Sequence, residues 1–325
     1  MKNRFLKYIV FAISSLLAPL CISCNGFNNG KSKIITTIFP EYDWVMNVLG
    51  DKKENFDVSL LLDSGVDLHS YSPTPKDIVT ISNCDMFVYV GGESDAWVDD
   101  VLKDAKNKEM AVINLMEVLG DKAKEEELIE GMQGEEEEEE SEEEGPEYDE
   151  HVWLSLNNSQ LFIQSICDSL SKLDKDNANY YKTNADTYIN NLKALDAEYK
   201  DAVSKANKDT LLFADRFPFR YLVDDYSLKY YAAFIGCSAE SEASFETMSF
   251  LVNKVNELNL KVILKIESSD GNIAETVRKN ANDSDSISIL TMDSVQSATT
   301  NEYKSGRNYL SIMQSNLGVL KQALS

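Results

Sequence analysis

Leu60-Leu61-Leu62-Asp63-Ser64-Gly65-Val66-Asp67-Leu68-His69-Ser70-Tyr71-Ser72-Pro73-Thr74-Pro75-Lys76-Asp77 sets the pattern for the chain. The leucines close a buried-type strand, Gly65 marks a turn, and His69 stands on a loop just before Pro73 and Pro75. Thr74 is placed to cap a helix starting near Pro75, because proline suits the first helical turn. The sequence holds two histidines. The second, His151, lies in Glu147-Tyr148-Asp149-Glu150-His151-Val152-Trp153-Leu154-Ser155, again just ahead of an apolar run. Two imidazoles at element boundaries among carboxylates point to a metal site. The plain alternative is two ordinary surface or core histidines, since two residues carry little positional information.

Working outward, the same strand–helix alternation recurs. Ile34 to Phe39, Val58 to Leu62, Met86 to Val90 and Ala111 to Leu115 read as strands. Helices are expected over Glu41 to Leu49, Pro75 to Asn83 and Ala96 to Lys106. Apolar strands separated by helices imply a parallel sheet covered on both faces. From Asn157 to about Asn207 the periodicity is helical almost without break, with Tyr181, Tyr188, Leu192, Leu195 and Tyr199 at helical spacing. These aromatics read as packing. A helix of this length has no partner in a simple doubly wound domain and reads as a rigid spine between two lobes. Beyond it the alternation resumes: strands at Thr210 to Ala214, Leu228 to Phe234, Val262 to Ile266 and Ser286 to Leu290, and a closing helix from Tyr309 to Ala323. Ligands of open parallel sheets bind at the carboxyl ends of strands. Asp215, Glu267 and Asp293 fall at such ends, although any one of them is also readable as a solvated loop acid.

With 325 residues there is chain enough for two ordinary domains, and 43% hydrophobic content is enough for real cores. The net charge of -24 excludes a nucleic-acid partner, because no basic patch is available to release counterions from phosphates. Lys2, Arg4 and Lys7 followed by the apolar run Tyr8 to Leu20 form a targeting segment, too short and interrupted for a membrane span. Ser23 before Cys24 resembles a bacterial lipoprotein signal with Cys24 the lipidated residue; the alternative is ordinary secretion with Cys24 unmodified. Cys84, Cys167 and Cys237 stand singly without C-x-x-C spacing and read as buried free thiols, not as disulfides or a thiolate metal site. The run Glu135 to Glu144 repels itself and buries nothing, so it reads as a solvated loop or a weak collector of cations.

Several motifs together resemble a known family. Thr36-Thr37-Ile38-Phe39-Pro40-Glu41-Tyr42-Asp43-Trp44 is similar to the opening strand and helix of the zinc/manganese-binding solute-binding lipoproteins of bacterial ABC transporters. Asp67 to Asp77 is similar to their first histidine motif, with H-x-Y-x-P intact, and His151-Val152-Trp153-Leu154-Ser155 to their second. Tyr309 to Leu317 resembles the terminal helix. The resemblance covers residues 34–324. It implies an α/β fold of two pseudo-symmetric parallel-sheet lobes joined by one long spine helix. It also implies a divalent ion clamped between the lobes and handed to a membrane permease, without catalysis. The corresponding divisions are a lipoprotein signal over 1–24, a tether over 25–33 and a metal-binding lobe over 34–173 with an acidic loop at 133–147. A spine over 174–207 and a second lobe over 208–325 complete them.

By the same resemblance His69 and His151 are the two ligands of the first lobe. The family's third ligand aligns with Arg216, which has no lone pair to offer a metal. Asp215, one residue earlier, is the substitute if the backbone shifts, Asp293 matches the acidic fourth ligand, and Glu267 stands beside the site. Two imidazoles and two carboxylates suit zinc and also manganese. The acidic loop, placed where zinc-type relatives carry one, favours zinc. The expected setting is a lipid-anchored monomer on the outer face of the cell membrane, serving an ABC permease. Two other classes stay open: an adhesion lipoprotein that kept the fold, and a metallohydrolase. The second lacks a Ser/His/Asp grouping, an H-E-x-x-H motif and an evident general base.

Overall fold

The computed structural model describes residues 30–134, 147–238 and 242–325. The targeting segment with Cys24 and the acidic run Glu135 to Glu144 lie outside the described residues. The first half builds β1 (Ser32–Thr36), α1 (Phe39–Leu49), β2 (Phe56–Leu60), α2 (Pro75–Ser82), β3 (Met86–Tyr89), α3 (Trp97–Lys103), β4 (Ala111–Asn114) and α4 (Leu115–Leu119). Two long helices follow, α5 (Leu156–Leu173) and α6 (Ala178–Ser204). The second half builds β5 (Thr210–Phe217), α7 (Arg220–Asp225), β6 (Lys229–Ile235), α8 (Phe245–Glu257), β7 (Val262–Lys265) and α9 (Asn272–Asn280). It ends with β8 (Ser288–Thr291), α10 (Thr300–Lys304) and α11 (Tyr309–Ala323).

Each half makes one four-stranded, all-parallel sheet. The orders are β2-β1-β3-β4 and β6-β5-β7-β8, the same winding twice. Two parallel-sheet lobes with a long helix are thus the architecture the alternation implied. Thr74 caps α2 as expected: its hydroxyl accepts from the Asp77 amide while the Asp77 carboxylate accepts from the Thr74 amide, satisfying two end donors at once.

The lobes share one core. Trp44 and Phe162 of the first pack with Tyr309 of α11, and α6 lies along both lobes. Its buried stripe of Tyr181, Ala185, Tyr188, Leu192, Leu195 and Tyr199 has the spacing of a single helix face. The tyrosine hydroxyls find partners, as buried polar groups must. Tyr188 donates to Asp43 in α1 at 2.6 Å, and Tyr199 to the Met313 carbonyl in α11 at 2.6 Å.

Two departures from the sequence reading matter for the site. First, β5 runs on to Phe217, so Asp215 and Arg216 sit inside a strand and not beyond its end. A register shift between Phe213 and Arg216 accommodates the polar pair there. Second, α6 is not the sole connection. The segment after α4 crosses to the second lobe, where the Gln133 amide donates to the Ala233 carbonyl at 2.9 Å beside β6.

Candidate metal centre

His69 sits in a single helical turn, Leu68–Ser70. Leu68, 1% exposed, anchors that turn in the core, and the Asp67 carboxylate caps it by accepting from the His69 amide at 3.1 Å. His151 opens a second short turn, Val152–Leu154, whose three residues are all fully buried. Apolar anchors directly beside each histidine explain why both rings are held and not swung into solvent.

The rings face one another. Nε2 of His69 lies 3.2 Å from Nε2 of His151, with centroids 5.1 Å apart. The opposite nitrogens are both engaged. Nδ1 of His69 is 2.8 Å from the Ser94 hydroxyl and 3.5 Å from Glu150 Oε2; Nδ1 of His151 is 3.1 Å from Asp149 Oδ1. A carboxylate can only accept, so Nδ1 of His151 carries its proton and the Nε2 atoms are left to converge. Zn–N bonds of about 2.0–2.1 Å in a tetrahedron place two nitrogens about 3.3 Å apart. The observed pair already has that spacing.

The electrostatics divide the pair. Burial, the His151 ring and Arg216 push His69 down to about 3, against the pull of Asp67. Burial also opposes charge on His151, but Asp149, Glu150 and Asp67 outweigh it and raise its affinity for a proton. Of the two rings, His151 thus holds a proton more readily than His69. Around the pair one oxygen each of Glu150 and Glu126 is buried without a hydrogen-bond partner. Burial raises the pKa of both carboxyls above the usual carboxylate range.

Of the sequence-chosen residues, the structure brings together His69 and His151, and it adds Cys237. The ligating atoms of His69, His151 and Cys237 all lie within 4.8 Å of one another. Cys237 follows β6, and Gly236 lets it come close. A Cβ at Gly236 would stand 2.9 Å from the Phe217 carbonyl and 3.0 Å from His151 Cε1, so any side chain there would push the ring or the strand away. The thiol donates to Glu126, and burial together with Asp149, Glu126 and Glu150 raises its pKa well above the usual thiol range. Cys84 and Cys167 are buried free thiols, as read from the sequence; Cys237 is only half-buried and faces the histidines.

The second-lobe carboxylates are placed differently. Among the described residues, neither Asp215 nor Asp293 joins the histidine cluster. Asp215 accepts from the Ile266 amide at 3.2 Å and its neighbour's amide at 2.9 Å, tying β5 to β7. Asp293 is ion-paired with Arg307 and accepts from the Val295 amide at 2.8 Å. Glu267 accepts from the Ser294 amide and from the hydroxyls of Ser294 and Ser297. Arg216 reaches across to Asp67 at 2.9 Å and donates to the Ser238 carbonyl at 3.3 Å. The aligned arginine thus contacts the carboxylate that shapes the His69 turn.

A pair of like α/β lobes closed on two facing imidazoles is the form of a solute receptor. The chain belongs to the zinc-uptake complex component A family, a family of periplasmic uptake components and not of enzymes, whose pattern matches residues 34–323. The zinc-binding lipoprotein AdcA of Streptococcus pneumoniae serotype 4 is 31% identical over 321 residues, 98% of this chain and 61% of that protein. The high-affinity zinc uptake system protein ZnuA of Bacillus subtilis is 30% identical, covering 100% of this chain and 99% of that one. The crystal structure of Zn(II)-bound AdcA from Streptococcus pneumoniae superposes with a TM-score of 0.71 at 29% identity, over 91% of this chain and 58% of that chain. The chain therefore spans less than two thirds of the streptococcal relatives and the full length of the Bacillus one.

Proposed function

We propose that this protein is an extracytoplasmic receptor that captures zinc on His69 and His151 and delivers it to an ABC-transporter permease. The carrying observation is the 3.2 Å approach of the two Nε2 atoms with both Nδ1 atoms engaged behind them. Imidazole suits zinc, whereas manganese prefers a larger oxygen share, and zinc also lies above manganese in intrinsic affinity. Asp215 and Asp293 have their oxygens committed to backbone amides and Arg307, so this reading places the ion on the histidine side of the cleft. Glu267, bound by two serine hydroxyls, shapes the loop after β8 and does not touch the ion. Membrane attachment through a lipid on Cys24 completes the proposal, motivated by the basic and apolar leader and Ser23 before Cys24. The relatives named for zinc binding and zinc uptake support the same cargo.

The experiment is elemental analysis of the untagged protein followed by zinc titration against a chelating dye. One tightly bound zinc per chain, lost in both His69→Ala and His151→Ala, is the expected result. A wild-type protein that takes up no zinc, or variants that keep it, would overturn the reading. Fatty-acid labelling that persists in Cys24→Ala would place the anchor elsewhere.

A further inference from the structure

We propose that Cys237 supplies a thiolate from the second lobe as the third zinc ligand, giving a His/His/Cys site in which sulfur stands where Arg216 provides nothing. This rests on the zinc-capture reading above. The observation is the three-residue cluster itself: two imidazole nitrogens and Cys237 Sγ within 4.8 Å of one another, drawn from three separate segments. Bond lengths of about 2.3 Å to sulfur and 2.0–2.1 Å to nitrogen put Sγ about 3.6 Å from each nitrogen around a tetrahedral ion. Bringing atoms that lie up to 4.8 Å apart to that spacing requires a movement of about 1.2 Å at most, within the reach of one cysteine rotamer or a small shift of the turn.

Three features around the cysteine support a ligand and not a packing thiol. The lack of a side chain at Gly236 lets the turn approach His151, where a Cβ would stand 3.0 Å from Cε1 of the ring. The thiol points at Glu126, whose other oxygen is buried without a partner. As the Zn–S bond forms, the S–H bond breaks and its proton leaves through Glu126 to water. Finally, the ion with one thiolate and two neutral imidazoles carries a single net positive charge. Asp149 behind His151 and Glu150 behind His69 are positioned to offset it. The apparent loss of a ligand at Arg216 is thereby made good from the next strand of the same sheet, β6. The exchange has a chemical consequence. A soft thiolate favours zinc over manganese far more than a carboxylate in that position would.

Cobalt(II) reports the difference directly, because a thiolate ligand gives a sulfur-to-cobalt charge-transfer band in the near ultraviolet and imidazole does not. The full chain loaded with cobalt is expected to show the band. Cys237→Ser should abolish it, keep the visible bands of histidine-bound cobalt, and weaken zinc binding by roughly a hundredfold or more, since loss of even an outer partner costs about 10–100-fold. Its metal-free melting temperature should match the wild type, and Cys237→Ala serves as a second variant if it does not. Wild-type protein that binds zinc through the histidines but shows no charge-transfer band, with Cys237→Ser retaining full affinity, would overturn the thiolate and leave zinc capture standing. No metal uptake at all by the wild type would overturn both.

Discussion

The two lobes repeat one winding and carry opposite chemistry. In the first, the loops around the sheet present two imidazoles backed by Asp149, Glu150 and Ser94. In the second, the end of β5 and the loop after β8 present carboxylates already bound to their own lobe and an arginine that reaches out of it. A shared strand order thus says where a ligand can bind without saying which groups will hold it. The second lobe's contribution comes from a glycine–cysteine turn that strand-end acids would never suggest.

Breaking the first lobe's half of this contrast should have the largest effect. His151→Ala removes a fully buried imidazole and, on the proposed reading, is expected to weaken zinc binding by about a thousandfold, near 4 kcal/mol. The melting transition should stay cooperative, because Val152, Trp153 and Leu154 continue to anchor the turn. Dye competition checks the first point and calorimetry the second.

Asp43 tests the lobes' unequal burden of buried acid. Its carboxyl is fully buried, has one oxygen without a hydrogen bond, and is pushed up to about 7 by burial, against hydrogen bonds from Tyr188 and Asn47. Between its usual value near 4 and about 7 the folded protein holds a proton that the unfolded chain has lost. Its contribution to stability should therefore fall as pH rises through that window and be level on either side. Asp43→Asn keeps an acceptor for Tyr188 and should flatten this slope, leaving the variant more stable by roughly 3 kcal/mol at pH 8 and little changed at pH 4. Chemical denaturation at a series of pH values measures it; parallel curves for the two proteins would refute it.

Smaller effects are expected across the cleft. Arg216→Ala removes a positive charge beside the site and leaves Asp67 unpaired next to His69. Zinc should bind about tenfold more tightly, a change that a few ångströms of separation at an intermediate dielectric readily supplies. Weaker binding would mean that the guanidinium's grip on Asp67, and so on the His69 turn, matters more than its charge. The smallest effect on affinity belongs to Asp293→Asn, which should alter zinc binding less than about threefold while lowering stability by about 1 kcal/mol through loss of a partly exposed pair with Arg307. A large loss of affinity there would return Asp293 to the ligand set.

Much of this was legible in the sequence. The periodic segments announced themselves, and α11 begins and ends where its pattern does. The histidines stood out because the sequence holds two and each falls at an element boundary. Less legible was the end of β5: Asp215 and Arg216 look like loop residues, and only the register shift in the sheet keeps them in a strand. Cys237 is equally hard to read from the sequence. The strand-end rule that selected Asp215, Glu267 and Asp293 applies equally to the residues after Ile235, but a single cysteine without a C-x-x-C neighbour looked like core. Ser94 carried no signal, since a hydroxyl behind a histidine is defined by distance and not by spacing. The crossing of Gln133 onto the second lobe was equally silent, because one bridging residue has no period.

The two histidines are not held with equal firmness. Trp153, two residues from His151, donates its indole N–H to the Ser294 carbonyl at 2.8 Å, and the Tyr309 hydroxyl donates to the Trp153 carbonyl at 2.6 Å. Both contacts are buried, so His151 belongs mechanically to both lobes. The His69 stretch is tied across the cleft by side chains nearer water, Asp67 to Arg216 and Asp63 to Thr300. Solvent competes for those partners and does not reach the others. The His69 turn is accordingly the looser of the two mounts, and its backbone amides over Leu68–Ser70 should exchange faster than those over Val152–Leu154.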